Sequence, residues 1–300
     1  MSRKTYAEAG VSLTAAGAVV ERLRNAVEST GAKGFGAFAG LYPLDEGRLL
    51  AASTDGVGTK LILLREAGRL RDGGRDLAAH CINDVLTTGA TPLFLLDYVA
   101  ANAIDLDEVA ELVEGAADVC RAARCALLGG ETAELPGIYR EEELDFAGTC
   151  VGIVDREAVV DGSKVQAGDV VIGWKSAGVH ANGFTLVRRV LADEPYHGPD
   201  LLAPTVLYQD LVEELVGRAD VHAFAHVTGG GIVGNLSRVL AEGREAAIDW
   251  DSWERPAVFD WLAQHVDEAE LRNVFNLGIG FCAVVPADQA AGELVIGEIR

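Results

Sequence analysis

A two-domain protein of the α/β or α+β class is predicted from three observations. Strand-like apolar runs and helical periodicities occur in comparable number along the chain. A turn-rich segment, Asp161-Gly-Ser-Lys-Val-Gln-Ala-Gly-Asp169, separates two parts of similar size. The 300-residue length suits two domains of ordinary size better than one. The boundary is placed there, giving domains at 1–165 and 166–300.

Taken in order, apolar residues recur at helical spacing with charged faces over Ser12–Ser29, Arg75–Gly89, Asp107–Arg124, Pro204–Arg218, Gly231–Glu242 and Ala257–Val266. Strands are expected where β-branched and apolar residues run between turn signals. Those runs are Leu49–Thr54, Leu93–Ala100, Ala126–Gly129, Leu144–Val154, Val170–Trp174, Ala246–Asp249 and Gly280–Val285. The segment Gly31–Gly40 places glycines around two phenylalanines. It reads either as a loop able to close over a ligand or as a plain helix-to-strand connection.

Composition narrows the function classes. With 49% hydrophobic and 24% charged residues the chain has ample material for a core, which excludes disordered and collagen-like classes. The net charge of −21 and the lack of a Lys/Arg run argue against nucleic-acid binding. No apolar stretch approaches the ~18 residues of a membrane span. The N-terminus lacks the apolar core of a secretion signal. Five cysteines without a C-x-x-C pair, each among aliphatic neighbours, read as buried reduced thiols of a cytoplasmic protein.

The common nucleotide and hydrolase motifs are absent, and polar clusters after apolar strands take their place. In Ser53-Thr-Asp-Gly-Val-Gly-Thr-Lys60, Asp55 can hold a divalent cation and Gly56 and Gly58 leave backbone N–H groups approachable. Thr54, Thr59 and Lys60 can meet phosphate oxygens. On the second helix Asp76, His80, Asn83 and Asp84 fall on or near one face, where an acid needs a cation. The segment Leu127–Gly137 offers Glu131 and Glu134 around Thr132, behind two glycines. Three acidic clusters at strand ends match what a Mg²⁺–polyphosphate site requires when no P-loop exists. In the second half His180 and Asn182 occupy a glycine-flanked turn suited to orienting substrate or moving a proton. Thr228-Gly229-Gly230-Gly231 before a helix suits a substrate phosphate. His222 and His226 are four apart, but the alternating pattern around them speaks for a strand rather than a zinc-binding helix.

In order and spacing these motifs resemble the phosphoribosylformylglycinamidine cyclo-ligase family. The matching stretches include Tyr6–Val11, Gly34-Phe35-Gly36-Ala-Phe38, Thr54–Lys60, Asn83-Asp84 and Gly89–Tyr98. They continue through Gly129–Glu134, Asp161–Lys164, His180–Gly183, Leu202–Thr205, Ala225–Gly231 and Phe275–Gly280. The resemblance implies a homodimer with an N-terminal α+β ATP-binding domain whose sheets form a barrel-like core across the dimer, and a C-terminal α/β domain. It implies conversion of formylglycinamidine ribonucleotide and ATP to aminoimidazole ribonucleotide, ADP and phosphate. By carry-over Asp55, Asp84 and Glu131 would hold Mg²⁺, and Gly34, Phe35, Gly36, Asn83 and Lys60 would lie at the nucleotide. A superfamily kinase, needing a hydroxyl acceptor, is the alternative that the second-half motifs disfavour. The ring-closing chemistry then makes Lys60 a charge-neutralising group and His180 the candidate base.

Overall fold

The computed structural model describes residues 3–31 and 36–300, so Gly34 and Phe35 lie outside the described residues. Helix α1 (Leu13–Glu28) is capped by Ser12, whose hydroxyl accepts from Ala15 N at 3.1 Å. Five strands follow in the first sheet: β1 (Gly40–Pro43), β2 (Arg48–Gly56), β3 (Thr91–Ala101), β4 (Ala126–Glu134) and β5 (Leu144–Asp155). Their spatial order is β1-β2-β5-β3-β4. Only β3 and β4 pair in parallel, through the crossover helix α4 (Leu106–Ala122); β1–β2, β2–β5 and β3–β5 are antiparallel.

Helix α2 (Lys60–Glu66) leads into α3 (Leu70–Leu86), which begins five residues before the expected Arg75. Gly73 and Gly74 lie inside α3 and let it cross α4 at close range. A methyl group at Gly74 would run into Leu112 O and Ala116 N, and one at Gly115 into Arg71 O. Arg71 and Arg75 then both reach Asp118 at 2.9 Å.

The second sheet orders β7 (Ala223–His226), β9 (Ile279–Val285), β6 (Val170–Lys175), β10 (Val295–Ile299) and β8 (Ala246–Ile248), with all four pairings antiparallel. The C-terminal half is therefore α+β, a correction to the expected α/β domain, because no βαβ crossover links neighbouring parallel strands. Its helices are α5 (Phe184–Leu191), α6 (Gln209–Arg218), α7 (Gly231–Leu236), α8 (Ala257–Ala263) and α9 (Glu268–Val274). The sequence periodicity does not reveal β1, α2 and α9, because each spans only four to seven residues.

One buried cluster runs through both halves. Leu77, Ile82 and Val85 of α3 share it with Trp174, Tyr208, Phe224 and Phe281 of the second half. The two sheets are thereby set against opposite sides of α3, whose polar residues become the seam between them.

Candidate active site

The helix expected from Pro204 starts only at Gln209, because residues 203–208 have no regular secondary structure and are tied to α3 by side-chain hydrogen bonds. Thr205 donates to Asp76 Oδ1 from both its backbone N and its hydroxyl, each at 2.8 Å. Asn83 donates to Val206 O at 2.8 Å and accepts from Tyr208 N at 3.1 Å. Lys60 Nζ lies 2.7 Å from Asp76 Oδ2 and donates to Ala203 O at 2.9 Å, with both side chains fully buried. Hydrogen bonds made by buried side chains thus replace those a helix would have supplied. Two expectations are corrected here. Lys60 and Asn83, placed beside phosphates from the sequence, are enclosed and hold the two halves together instead.

The open part of the seam carries two carboxylates. Asp55, near the end of β2, accepts from His80 Nδ1 at 3.1 Å and from Gly56 N at 2.7 Å. Asp84, one turn beyond His80 on α3, accepts from His226 Nδ1 at 2.8 Å and from Ser53 Oγ at 2.9 Å. The two imidazoles meet edge to face with centroids 5.0 Å apart. A carboxylate only accepts, so each ring carries its proton on Nδ1, and each Nε2 is buried without a partner. Burial pushes the Asp55 pKa up, yet the hydrogen bond and charge of His80 outweigh it, and the value lies below the ordinary carboxylate range. Burial pulls His80 down, but Asp55 more than offsets this and His80 lies above the usual histidine value. His226 falls below it, because burial wins over the pull of Asp84.

His180 closes the floor of the same region, so its distance in sequence from the acidic residues is misleading. It sits at a left-handed φ of 64° and is buried. Its Nε2 accepts from Ala177 N at 3.2 Å and Val206 N at 3.5 Å, and its Nδ1 has no partner. The lone pair needed by a base is already engaged by backbone donors. Burial, and after it the charges of His80, His226 and Lys60, holds its pKa well below the ordinary value. The expected role as base in ring closure is not the one this geometry supports; His180 braces the turn against the 203–208 segment.

Above it, the second-half turn is assembled as expected. Thr228, Gly229 and Gly230 lead into α7, and Asn235 of that helix donates to the carbonyls of Thr228, Gly229 and Gly231 at 3.3, 3.3 and 2.8 Å. Asn182 approaches this turn, its Oδ1 lying 3.9 Å from where a side chain on Gly229 would begin.

Glu131 does not join Asp55 and Asp84. It lies inside β4 rather than beyond the end of the expected strand Ala126–Gly129, and its register runs Glu131–Tyr98–Ala147–Gly56 across the sheet. Paired residues share a face, so Glu131 points to the face opposite Asp55, three strands and about 14 Å away. Its carboxylate accepts from Thr132 N at 3.0 Å. Thr54 bonds Thr149 at 2.8 Å on that same open face, while Thr59 meets Thr185 of α5 at 3.0 Å. Among the described residues no three His, Cys, Asp or Glu side chains converge as a metal cage. Gly56 and Gly58 stay at the Asp55 corner, Gly58 at a φ of 69° with open space on its Cβ side. Sequence reasoning missed Arg238, which faces the charges of Asp84 and Asp55 from the second half. A lone arginine past a short helix carries no textual signal. His226 had one, since its alternation with buried neighbours marks a strand, but its partner lies 142 residues away.

Residues 36–154 match the family model of the AIR synthase related protein N-terminal domain, and residues 166–297 that of the C-terminal domain. The phosphoribosylformylglycinamidine cyclo-ligase of Synechococcus sp. (strain CC9605) is 50% identical over 305 residues, covering 94% of this chain and 88% of the relative. This chain belongs to the phosphoribosylformylglycinamidine cyclo-ligase family. A chloroplastic/mitochondrial cyclo-ligase of Vigna unguiculata is 46% identical over 95% of the chain and 76% of its own length. Among solved structures, thiamine monophosphate kinase from Aquifex aeolicus superposes with a TM-score of 0.66 at 16% identity, covering 97% and 95% of the two chains. T. maritima PurL complexed with FGAR gives 0.63 at 18%, covering 89% of this chain and 44% of that one. These two likenesses speak for the fold that cyclo-ligases share with them.

Proposed function

We infer that this chain is an ATP-dependent ligase that closes the imidazole ring of aminoimidazole ribonucleotide from formylglycinamidine ribonucleotide, releasing ADP and phosphate. The observation that carries this reading is the relationship to named cyclo-ligases across nearly the whole chain, at 50% identity to the Synechococcus enzyme. An amide oxygen leaves poorly. Transfer of the γ-phosphoryl group to it turns that oxygen into part of a phosphate leaving group, and the amidine nitrogen can then attack the same carbon. Such a transfer is governed by positioning and charge neutralisation more than by covalent chemistry in the protein.

Asp55 and Asp84 fit a magnesium ion. They offer only oxygen donors, and each is oriented by an imidazole N–H while keeping lone pairs free. Two carboxylates would hold Mg²⁺, with phosphate oxygens and water completing its shell; when bound it supplies charge neutralisation on the polyphosphate. The nucleotide is assigned to the Asp55 corner, with Gly56, Gly58 and Asp84, in the 1–165 half. The substrate phosphate is assigned to the Thr228–Gly231 turn and Asn182, in the 166–300 half. Lys60, Asn83 and His180 position the seam between them. A homodimer accounts for the uncovered face of the first sheet, where Leu93, Leu96 and Tyr98 are exposed and where Glu131 also points. Five free buried thiols agree with a cytoplasmic location.

The test is a coupled assay of purified protein with formylglycinamidine ribonucleotide, ATP and Mg²⁺, scoring aminoimidazole product and ADP together. Equal amounts of both are expected. Phosphorylation of a hydroxyl substrate with no aminoimidazole product would turn the reading to a kinase of the same fold.

A further inference from the structure

Gly36, Ala37 and Phe38 belong to the first half by sequence but are fastened to the second. Phe38 is buried in a cluster with Ala225, Val227, Ile232 and Leu236 of the second half. Arg238, in the single turn of 3₁₀ helix that follows α7, reaches the same three residues. Its Nε and Nη2 each lie 3.3 Å from Gly36 O, Nη2 lies 2.9 Å from Ala37 O, and its guanidinium carbon sits 3.8 Å over the Phe38 ring. Nη1 donates to Asn235 Oδ1 at 3.4 Å, and Asn235 in turn ties together the carbonyls of the triple-glycine turn. The planar fork of an arginine is suited to binding two adjacent carbonyls while stacking on a ring; an ammonium has neither geometry.

We propose that Arg238 is a positioning residue that clamps the glycine-rich segment of the nucleotide half onto the substrate turn of the other half. One continuous hydrogen-bonded path then runs from Gly36 and Ala37 through Arg238 and Asn235 to Thr228, Gly229 and Gly231. The guanidinium that holds the segment also faces the charges of Asp84 and Asp55. Nucleotide binding is therefore sensitive to a residue belonging to the substrate half.

The test has two arms, and only the kinetic one rests on the cyclo-ligase reading. In the first, amide hydrogen exchange of the ligand-free protein is compared between wild type and R238A. Exchange at Ala37–Leu41 speeds by roughly 10-fold or more, the loss of charged hydrogen bonds, while β5 and β9 keep their protection. In the second, R238A raises KM for ATP by roughly 10-fold with kcat within a few-fold of wild type, and R238K does not restore it. R238K also serves where R238A fails to fold, since it keeps the stem and charge but loses the fork. Unchanged exchange at 37–41 in a folded variant overturns the clamp, as does full recovery of both readouts by lysine. A wild-type protein that forms no aminoimidazole product would instead remove the cyclo-ligase reading and leave the exchange arm standing.

Discussion

Lys60 and Asp76 face each other at 2.7 Å with no solvent reaching either side chain. Burial pulls the lysine pKa below its ordinary value, and Asp76 works against that pull. The pair is closed further by Thr205 on the second carboxylate oxygen and by the Ala203 carbonyl on the ammonium. An ion pair in such surroundings adds little net stability, but removing one partner strands the other as a buried charge. Lys60→Met and Asp76→Asn should each destabilise the fold by about 3–5 kcal/mol, read from urea unfolding at neutral pH. The double variant should be less destabilised than the sum. Single losses below about 1 kcal/mol would mean that the pair is open to water in solution.

The acid–imidazole pairs give a prediction on function. Asp84→Asn keeps the bond from Ser53 but removes a charge from the corner where Mg²⁺ is proposed to bind. A folded Asp84→Asn protein should lose turnover by at least ~10². The His80 ring hydrogen-bonds Asp55 and would act by orienting it, so His80→Gln should weaken the apparent Mg²⁺ affinity by about 10–100-fold. At saturating Mg²⁺ its kcat should return close to wild type. A magnesium titration that superposes on wild type would remove His80 from the positioning of Asp55.

Stability against pH tests the burial of His180. In the unfolded chain this histidine takes a proton as pH falls through about 6.5. In the fold it does not, so the unfolded state binds more protons and acidification favours unfolding. His226, also shifted down, acts in the same sense. His80, shifted up, acts oppositely, its contribution being present below the unfolded value and lost as pH rises through the folded one. Between pH 7 and 5 the chain should lose up to about 1.4 kcal/mol per pH unit for each uncompensated proton. His180→Asn, a residue that tolerates the left-handed backbone, should have a shallower slope. Urea midpoints at pH 5, 6 and 7 decide it, and equal slopes would place His180 in contact with water.

How far the site was legible in the sequence follows from the range of the interactions. Asp55 and Asp84, which the fold brings to the neighbouring rings of His80 and His226, each stand in a motif whose glycines or helical spacing advertise it. Their partners His80 and His226 are fixed by tertiary pairing, and no spacing rule connects His226 to a residue 142 positions away. Lys60 was misjudged because its neighbours Gly58 and Thr59 suggest an anion site, whereas the side chain runs inward to an aspartate on α3. Glu131 was misjudged for a different reason. Two glycines before it read as the end of the strand, but Gly130 lies against Asp97, where any side chain would collide with it, and this lets β4 continue beside β3. The strand then carries Glu131 to the opposite face. The elements themselves were readable wherever they were long: β2, β3, β5 and α4 differ from expectation by a few terminal residues.

The uncovered face of the first sheet supplies the last prediction. Helices α3 and α4 cover one side, where Leu49, Ala51, Phe146, Cys150 and Val154 are buried. On the other side Leu93, Leu96 and Tyr98 of β3 stand 39%, 41% and 38% exposed. Beside them, Ala147, Thr149, Val151 and Ile153 of β5 are half-buried, and the edge strand β4 pairs with no further strand on its outer side. A broad apolar sheet face beside an unpaired edge strand is unfavourable in water and would be relieved by a second copy of the chain. Light scattering should give twice the chain mass at low micromolar concentration. Leu96→Glu puts a charge into the covered surface, and a cost of about 3 kcal/mol corresponds to a roughly 10²-fold weaker dimer. Leu106→Glu serves as the control, since Leu106 is 81% exposed at the start of α4 and lies off this face. Dissociation of Leu96→Glu alone supports the proposed contact. A wild-type monomer with full activity, or a Leu96→Glu dimer as tight as wild type, would show that this face stays open and that Glu131 works on no shared surface.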